Sequence, residues 1–382
     1  MSGNRPAVVF GLLWAGLALT RSLGRRGIDV TGIAAGNHEF GLRSRYLRRR
    51  VVESEDAAVL AALRRAAADG PVVLFPERDA HIAFCLEHWD EVRSLAAIPL
   101  PDDPQVVLRL RRKEQLAVLA EAAGVAVPRT AYPESEEAIR DLDLRPPFLV
   151  KPVEGQEFAS VFGRKLLVAD DLDAAARAWS EARERGFQSI VQELIPDAHD
   201  KIYSLFTYIG RTGEPLANVV GRKVRAGPPR FGTAAVFELG PEPRVLETGL
   251  RLLRHAGYRG FAQVELALDV RDGELKLIEV NTRPPQWGGI AMTRRFDVAR
   301  IAYDDLSGRE VEPAPTFDEE GVAWIYLAKD LWSSLELARH GELGARAFAA
   351  PYVRPRKVRA IFAADDPLPA LASLAYLRTK VA

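Results

Sequence analysis

Residues 260–284 read GFAQVELALDVRDGELKLIEVNTRP. Alternating apolar and polar positions over 260–270 and 274–281 flank Arg271-Asp272-Gly273, the pattern of a β-hairpin. Glu279 and Asn281 stand two apart and so share a face of their strand. The length of the turn decides whether Glu265 joins them. A two-residue Asp272-Gly273 loop would pair Glu265 with Val280 and Leu266 with Glu279, mixing polar and apolar faces. A three-residue loop puts Gly273 at the left-handed third position. It pairs Leu266 with Ile278 and Val264 with Val280 on one face, and Glu265 with Glu279 and Gln263 with Asn281 on the other. Register follows the buried pattern, so the second arrangement is expected. Like charges facing each other across a strand pair are destabilising unless something compensates them. A hard divalent cation does so: magnesium takes oxygen ligands from one or two carboxylates and completes its shell with phosphates and water. Taken alone, the segment also fits a solvated polar face on an edge hairpin.

The hairpin belongs to a chain of 382 residues, enough for two or three domains and a large core. Its 52 basic and 52 acidic side chains cancel, which removes the electrostatic footprint of a nucleic-acid binder or a basic membrane-surface protein. A lone cysteine, Cys85, excludes a disulfide framework and a zinc site built on several cysteines. Residues 7–20, AVVFGLLWAGLALT, are too short for a membrane span, which needs about 20 apolar residues. Only Arg5 precedes them as positive charge and no small-residue cleavage site follows. They read as a buried strand at 7–10, a glycine turn and a helix, not as a signal peptide. The expectation is a globular, cytoplasmic protein without nucleic-acid or membrane partners.

Over residues 1–105, short apolar runs at 7–10, 29–34 and 72–75 alternate with helical segments, the last beginning at 80–89. Such alternation argues for a parallel sheet with helices on both faces. The first turn, Gly11-Leu-Leu-Trp-Ala-Gly16, is not the dinucleotide fingerprint, so no nicotinamide cofactor is inferred. Proline-rich 98–104 reads as a linker. Beyond it come an amphipathic helix at 113–123, a strand at 147–152 (PFLVKP) and a helix capped by Asp170 or Asp171 and running to Gly186. A strand at 189–194, hairpin strands at 202–210 and 216–224, and a helix at 242–256 complete the approach to the carboxylate hairpin. Residues 311–382 are a mixed tail with a helical stretch at 328–340. The six histidines show no metal spacing, and no Ser/His/Asp or Cys/His constellation is present. Cys85 reads as core.

Four motifs occur in order: Lys113 before a helix ending in GVAVP, PFLVKP at 147–152, VQELI at 191–195 and LIEVNTRP at 277–284. Together they resemble the ATP-grasp superfamily, over most of residues 1–310, and within it the carboxylate–amine ligases of the D-aspartate ligase and D-alanine–D-alanine ligase type. RSRY at 43–46 and RKVRAGPPRFG at 222–232 are similar to sequences in uncharacterised ATP-grasp ligases. The resemblance implies a mixed α/β and α+β architecture: a Rossmann-like pre-ATP-grasp domain at 1–105, a two-subdomain ATP-grasp domain at 106–310, and a C-terminal extension at 311–382. It implies ATP and magnesium, or manganese, as cofactors, with small-molecule carboxylate and amine substrates.

The same resemblance assigns roles. Lys113 and Lys151 would reach the phosphates, a task suited to a compact ammonium, with Lys165 contributing. Gln192, Glu193, Leu194 and Ile195 would form the hinge beside adenine, and Asp200 would meet a ribose hydroxyl. Glu265, Glu279 and Asn281 match the magnesium ligands. Arg222 and Arg283, with Lys223 alongside, would stabilise the transferring phosphoryl group or clamp a carboxylate, for which a planar bidentate donor is suited. The chain departs from the family at 153–165, VEGQEFASVFGRK, where a glycine-rich lid is usual and only Gly155 and Gly163 occur. Arg225, Arg230, Arg294 and Arg295 crowd the expected substrate side; Trp287 either lines that pocket or packs beside a glycine turn. The activity implied is amide formation through an acyl phosphate. An ATP-grasp kinase and a silent nucleotide-binding module are its rivals. Residues 311–382 are left to a domain cap or a homodimer contact.

Overall fold

The computed structural model describes residues 4–153, 158–163, 166–196, 201–230 and 232–381. The first of three sheets is parallel and contains β1 (Ala7–Phe10), β2 (Val30–Ala34), β3 (Leu47–Val52), β4 (Val72–Pro76) and β5 (Ala96–Ala97) in the order β3-β2-β1-β4-β5. All four residues of β1 are buried, as expected for a central strand covered on both faces. Two strands here, β3 and the two-residue β5, escaped the apolar pattern. β3 reads LRRRVV and exposes three arginines at the sheet edge, so its alternation is masked; 72–75 is therefore the fourth strand, not the third. Pro104, taken as the end of a linker, instead begins helix Pro104–Arg111, whose first turn is capped by Asp103 accepting from the Gln105 amide at 2.8 Å.

The order of strands reverses at β1, and the turn there is tightly specified. The amides of Leu12 and Leu13 donate to the carboxylates of Glu39 and Glu77, at 2.5 and 2.9 Å. These two amides lie just before helix Trp14–Gly24 and face protein carboxylates. Gly11 adopts φ +93°, and a Cβ there would collide with His81 and stand 2.7 Å from Glu77. Burial, reinforced by the charge of Glu39, raises the Glu77 carboxyl to about 7. Burial, reinforced by Arg78, lowers His81 to about 3. Cys85 is fully buried, in the core as expected.

The second sheet is antiparallel, with β6 (Thr130–Ala131), β7 (Phe148–Pro152), β8 (Leu167–Ala169) and β9 (Ser189–Glu193) in the order β6-β9-β7-β8. The third holds β10 (Ile202–Ile209), β11 (Pro215–Gly227), β12 (Thr233–Leu239), β13 (Gly260–Asp269), β14 (Glu274–Asn281), β15 (Val322–Ile325) and β16 (Arg356–Arg359). Its order is β14-β13-β10-β11-β12-β15-β16, antiparallel except for the last pair. Strand β12 had no counterpart in the sequence reading. Asp171 is the cap of helix Leu172–Glu184, accepting from the Ala174 amide at 2.6 Å.

The carboxylate hairpin follows the expected register only at its far end. Gln263 pairs with Asn281, Val264 with Val280 and Glu265 with Glu279. Nearer the turn, Leu266 pairs with Leu277 and not with Ile278, because a bulge intervenes and the loop is one residue longer. The longer loop is tied by charge. Asp269, wholly buried, accepts from Arg271 Nε at 2.9 Å and from Lys276 Nζ at 2.7 Å, and Lys276 also reaches Asp272 at 2.8 Å. Ile278 is expelled to the surface, 38% exposed.

Residues 311–382 are woven into the fold. β15 and β16 extend the third sheet, and helix Leu327–Arg339 packs on β11 and β12. Asp366, buried, accepts from Arg21 Nε at 2.9 Å, Ser44 Oγ at 2.8 Å and the Arg45 amide at 2.9 Å. Asp365 takes Arg25 through two bonds of 2.7 and 2.8 Å and the Tyr46 hydroxyl at 2.7 Å. The RSRY segment at 43–46 is therefore part of the seat for the C-terminal segment on the first domain. Among the described residues no helix is long and apolar enough to cross a membrane.

Candidate active site

β13 and β14 place four polar side chains on one face by strand alternation. Glu265 is buried whereas Glu279 is exposed. Gln263 Nε2 donates to Glu265 Oε1 at 2.8 Å, and Asn281 Nδ2 to Glu279 Oε1 at 2.8 Å. Each carboxylate thus has its own amide. Burial raises the Glu265 carboxyl; Lys223 opposes this, and the charge of Glu279 adds to it. Lys223 Nζ, itself on buried β11, lies 3.5 Å from Glu265 Oε2. A buried carboxyl destabilised by a second carboxylate, with an amide oxygen nearby, is an all-oxygen donor set, and it fits a hard divalent cation.

Opposite this set stand two lysines from other elements. Lys113 is the first residue of helix Lys113–Ala122, a position where the helix dipole disfavours a cation. Its Nζ instead reaches across to donate to the Pro152 carbonyl at 2.9 Å, at the end of β7. Lys151 is on β7 itself. Burial lowers its ammonium to about 8, with the charge of Lys113 contributing and Glu279 opposing. Burial lowers Lys113 as well, again against Glu279. Lys113 and Lys151 therefore both lie within electrostatic reach of the exposed Glu279 carboxylate.

The remaining residues singled out from sequence divide into four groups. Arg283 joins the cluster: a terminal nitrogen lies 3.3 Å from Asn281 Oδ1 while the guanidinium is gripped by Asp79. Arg222, one residue before Lys223, turns to the alternate face, where its contact is Glu238 at 3.6 Å. Glu238 is clamped by Arg354 through two bonds of 2.9 Å. The VQELI strand end is already well occupied. Gln192 Nε2 donates to Thr130 Oγ1 at 2.7 Å, and the Leu194 amide to the Pro147 carbonyl at 2.8 Å. The buried Glu193 carboxylate accepts from the Arg145 amide at 2.9 Å, with Arg271 at 3.4 Å. Ile195 is buried. Lys165, Asp200 and much of the glycine-poor stretch 153–165 lie outside the described residues.

The arginines expected on the substrate side are largely committed elsewhere. Arg225 is buried and held by Asp330 through bonds of 2.6 and 2.8 Å, Arg230 meets Glu342 at 3.1 Å, and Arg295 meets Glu319. Trp287 is a packing residue, stacked on Phe237 with centroids 3.7 Å apart. The structure also assembles partners that no spacing announced. Asp79 and Arg111 reach the site's neighbourhood from elements far away in the chain, whereas Glu238 and Arg354 gather around Arg222 on the alternate face. Asp56, Glu87 and His88 form a largely exposed trio within 4.8 Å on the surface, away from these residues' network.

No family model matches the chain. It is 22% identical over 280 residues to the D-aspartate ligase of Enterococcus faecium (strain Aus0004), a match covering 69% of this chain and 66% of that protein, just short of two thirds. Among solved structures it resembles the biotin carboxylase of Campylobacter jejuni, described as a β,γ-ATP complex, with a TM-score of 0.62 and 16% identity over 81% of this chain and 72% of the other. It resembles the L-amino acid ligase of Bacillus licheniformis with a TM-score of 0.59 and 17% identity over 82% and 79%. The expected fold is borne out: the chain has the ATP-grasp fold, and in sequence it is distantly similar to a D-aspartate ligase.

Proposed function

We propose that the chain is an ATP-dependent carboxylate–amine ligase acting on amino acids or small amino-acid-derived molecules. The observation that carries this reading is the pairing of Glu265 and Glu279 on one face of the hairpin, with Lys113 and Lys151 within electrostatic reach of Glu279. Such a cleft has a place for a divalent cation on one wall and for phosphates on the other. The named relatives, an amino-acid ligase and a ligase-type fold neighbour, support the same chemistry.

In this reading Lys113 and Lys151 hold the nucleotide's phosphates as point charges. Glu265, Glu279 and Asn281 hold magnesium, which when bound supplies charge neutralisation at the transferring phosphoryl group. Lys223 lies beside Glu265 and Arg283 beside Asn281, so both present positive charge where the γ-phosphoryl group meets the substrate carboxylate. Transfer gives an acyl phosphate and ADP; an amine nitrogen then attacks the acyl carbon, forming the amide and releasing inorganic phosphate. Phosphoryl transfer needs positioning and electrostatic stabilisation more than covalent help from the protein. That accounts for a site of lysines, arginines and carboxylates. The test is a screen of amino-acid pairs with ATP and magnesium, read as ADP and phosphate release, with mass determination of the product. An amide requiring both substrates supports the ligase; a stable phosphorylated product that needs no amine overturns it.

A further inference from the structure

Asp79 is the first residue of helix Asp79–Glu87, shortly after β4, and its neighbour Arg78 occupies the N-cap position, where the Arg78 amide donates to His81 Nδ1 at 3.3 Å. Its carboxylate is directed away from its own domain, and two guanidiniums share it. Arg283, just beyond β14, donates to Oδ2 from Nε at 2.9 Å and from a terminal nitrogen at 2.7 Å. Arg111, the last residue of helix Pro104–Arg111, donates to Oδ1 at 2.7 Å. The same terminal nitrogen of Arg283 reaches Asn281 Oδ1 at 3.3 Å, and Asn281 Nδ2 continues to Glu279 Oε1 at 2.8 Å. A continuous line of polar contacts therefore runs from the first domain to the exposed carboxylate of the hairpin.

We propose that Asp79 is a positioning residue for Arg283. Two N–H groups of one guanidinium on a single carboxylate oxygen fix the plane of that group, which a lone arginine on a surface strand end would not hold. The Asp79 side chain is 47% exposed and that of Arg283 21%. Exposed pairs of this kind add little to folding stability, so conformational order of the arginine is the larger consequence. The second cation matters too. With Arg111 also on the carboxylate, the trio keeps one net positive charge, and Arg283 is presented as a cation to an anionic ligand instead of being neutralised by its anchor. The arrangement further makes the site depend on the segment that follows β4: Arg283 is oriented only while Asp79 is docked against it.

The proposal takes from the ligase reading only the task of Arg283, contact with the nucleotide's phosphates or the substrate carboxylate. It is tested by a double-mutant cycle of Asp79→Ala and Arg283→Ala in the full chain, with Asp79→Asn replacing the alanine variant if the latter unfolds. Loss of a partner that orients a site residue is expected to lower kcat/KM for ATP about 10- to 100-fold, with the KM for the amine unchanged and partial rescue by Asp79→Glu. In the Arg283→Ala background, Asp79→Ala should cost nothing further. Losses that multiply, or an Asp79→Ala enzyme with unaltered kcat/KM, overturn the proposal. If no amino-acid pair supports turnover, the ligase reading has failed. The same cycle is then read as calorimetric affinity for magnesium with a non-hydrolysable ATP analogue, where a coupled loss still supports the role of Asp79 and independent or absent losses reject it.

Discussion

Glu265 and Glu279 face each other across the β13–β14 ladder, one buried and one exposed, each hydrogen-bonded by the amide two positions away on its own strand. The asymmetry gives them different tasks. Glu265 is held in place by Lys223 and Gln263, whereas Glu279 acts on Lys151 of the second sheet and on Lys113 at the start of its helix.

Glu279→Ala should abolish magnesium-dependent ADP release while leaving the protein folded, since the side chain is exposed. The check is ADP release beside a thermal unfolding scan. Magnesium with ADP should raise the melting temperature of the parent protein and not of the variant. Undiminished turnover in the variant would remove Glu279 from the metal site.

The Lys151 ammonium, lowered to about 8, predicts a pH limit on nucleotide capture. In the proposed role the protonated form holds phosphate, so nucleotide capture should weaken as pH rises through about 8. The kcat/KM for ATP should then fall, approaching tenfold per pH unit well above that value. Lys151→Arg stays charged and should abolish the alkaline limb even if its overall activity is lower. A limb that persists in this variant would assign it to another group.

Glu77 makes a prediction about stability. Its carboxyl is raised to about 7 from an ordinary 4.5, so the folded state binds the proton more tightly than the unfolded chain. Its contribution is fully present below pH 4.5 and is lost as pH rises toward 7. Glu77→Gln keeps an oxygen to accept the Leu13 amide, at 2.9 Å in the parent, but cannot ionise. Urea midpoints measured between pH 4.5 and 7.5 should fall less steeply for Glu77→Gln. Equal slopes would refute the assignment.

The two aspartates at the C-terminal seat should differ sharply. Asp366 is buried against Arg21, and Asp366→Ala strands that guanidinium, a change of about 3–5 kcal/mol. Asp365 pairs with Arg25 at the surface, where side-chain exposures are 46% and 30%, and Asp365→Ala should cost about 1 kcal/mol or less. Chemical denaturation of both variants provides the comparison.

The legible part of this protein was local. Period-two alternation in β13 and β14 placed Glu265 opposite Glu279, because only that register keeps Val264 and Val280 together on the buried side. Apolar runs marked β1, β2, β4, β7 and β9, and cap residues such as Asp171 marked helix starts. Where polar residues occupy both faces of a strand the signal vanishes, which is why arginine-rich β3 went unread. The bulge at Ile278 also escaped, since it goes with a charge cluster of Asp269, Arg271 and Lys276, not with hydrophobic pattern.

By itself, then, the sequence determined the face that carries the paired carboxylates, because strand periodicity is a property of neighbouring residues, while the ATP-grasp layout and the lysines Lys113 and Lys151 were what the resemblance of its ordered motifs implied. Only the tertiary structure decided which cations accompany them. Adjacent Arg222 and Lys223 part to opposite faces, Lys223 toward Glu265 and Arg222 toward Glu238. Asp79 reaches Arg283 across 204 residues of chain. Such pairings depend on how three sheets dock, and an ionic contact between distant residues leaves no periodic trace in either segment.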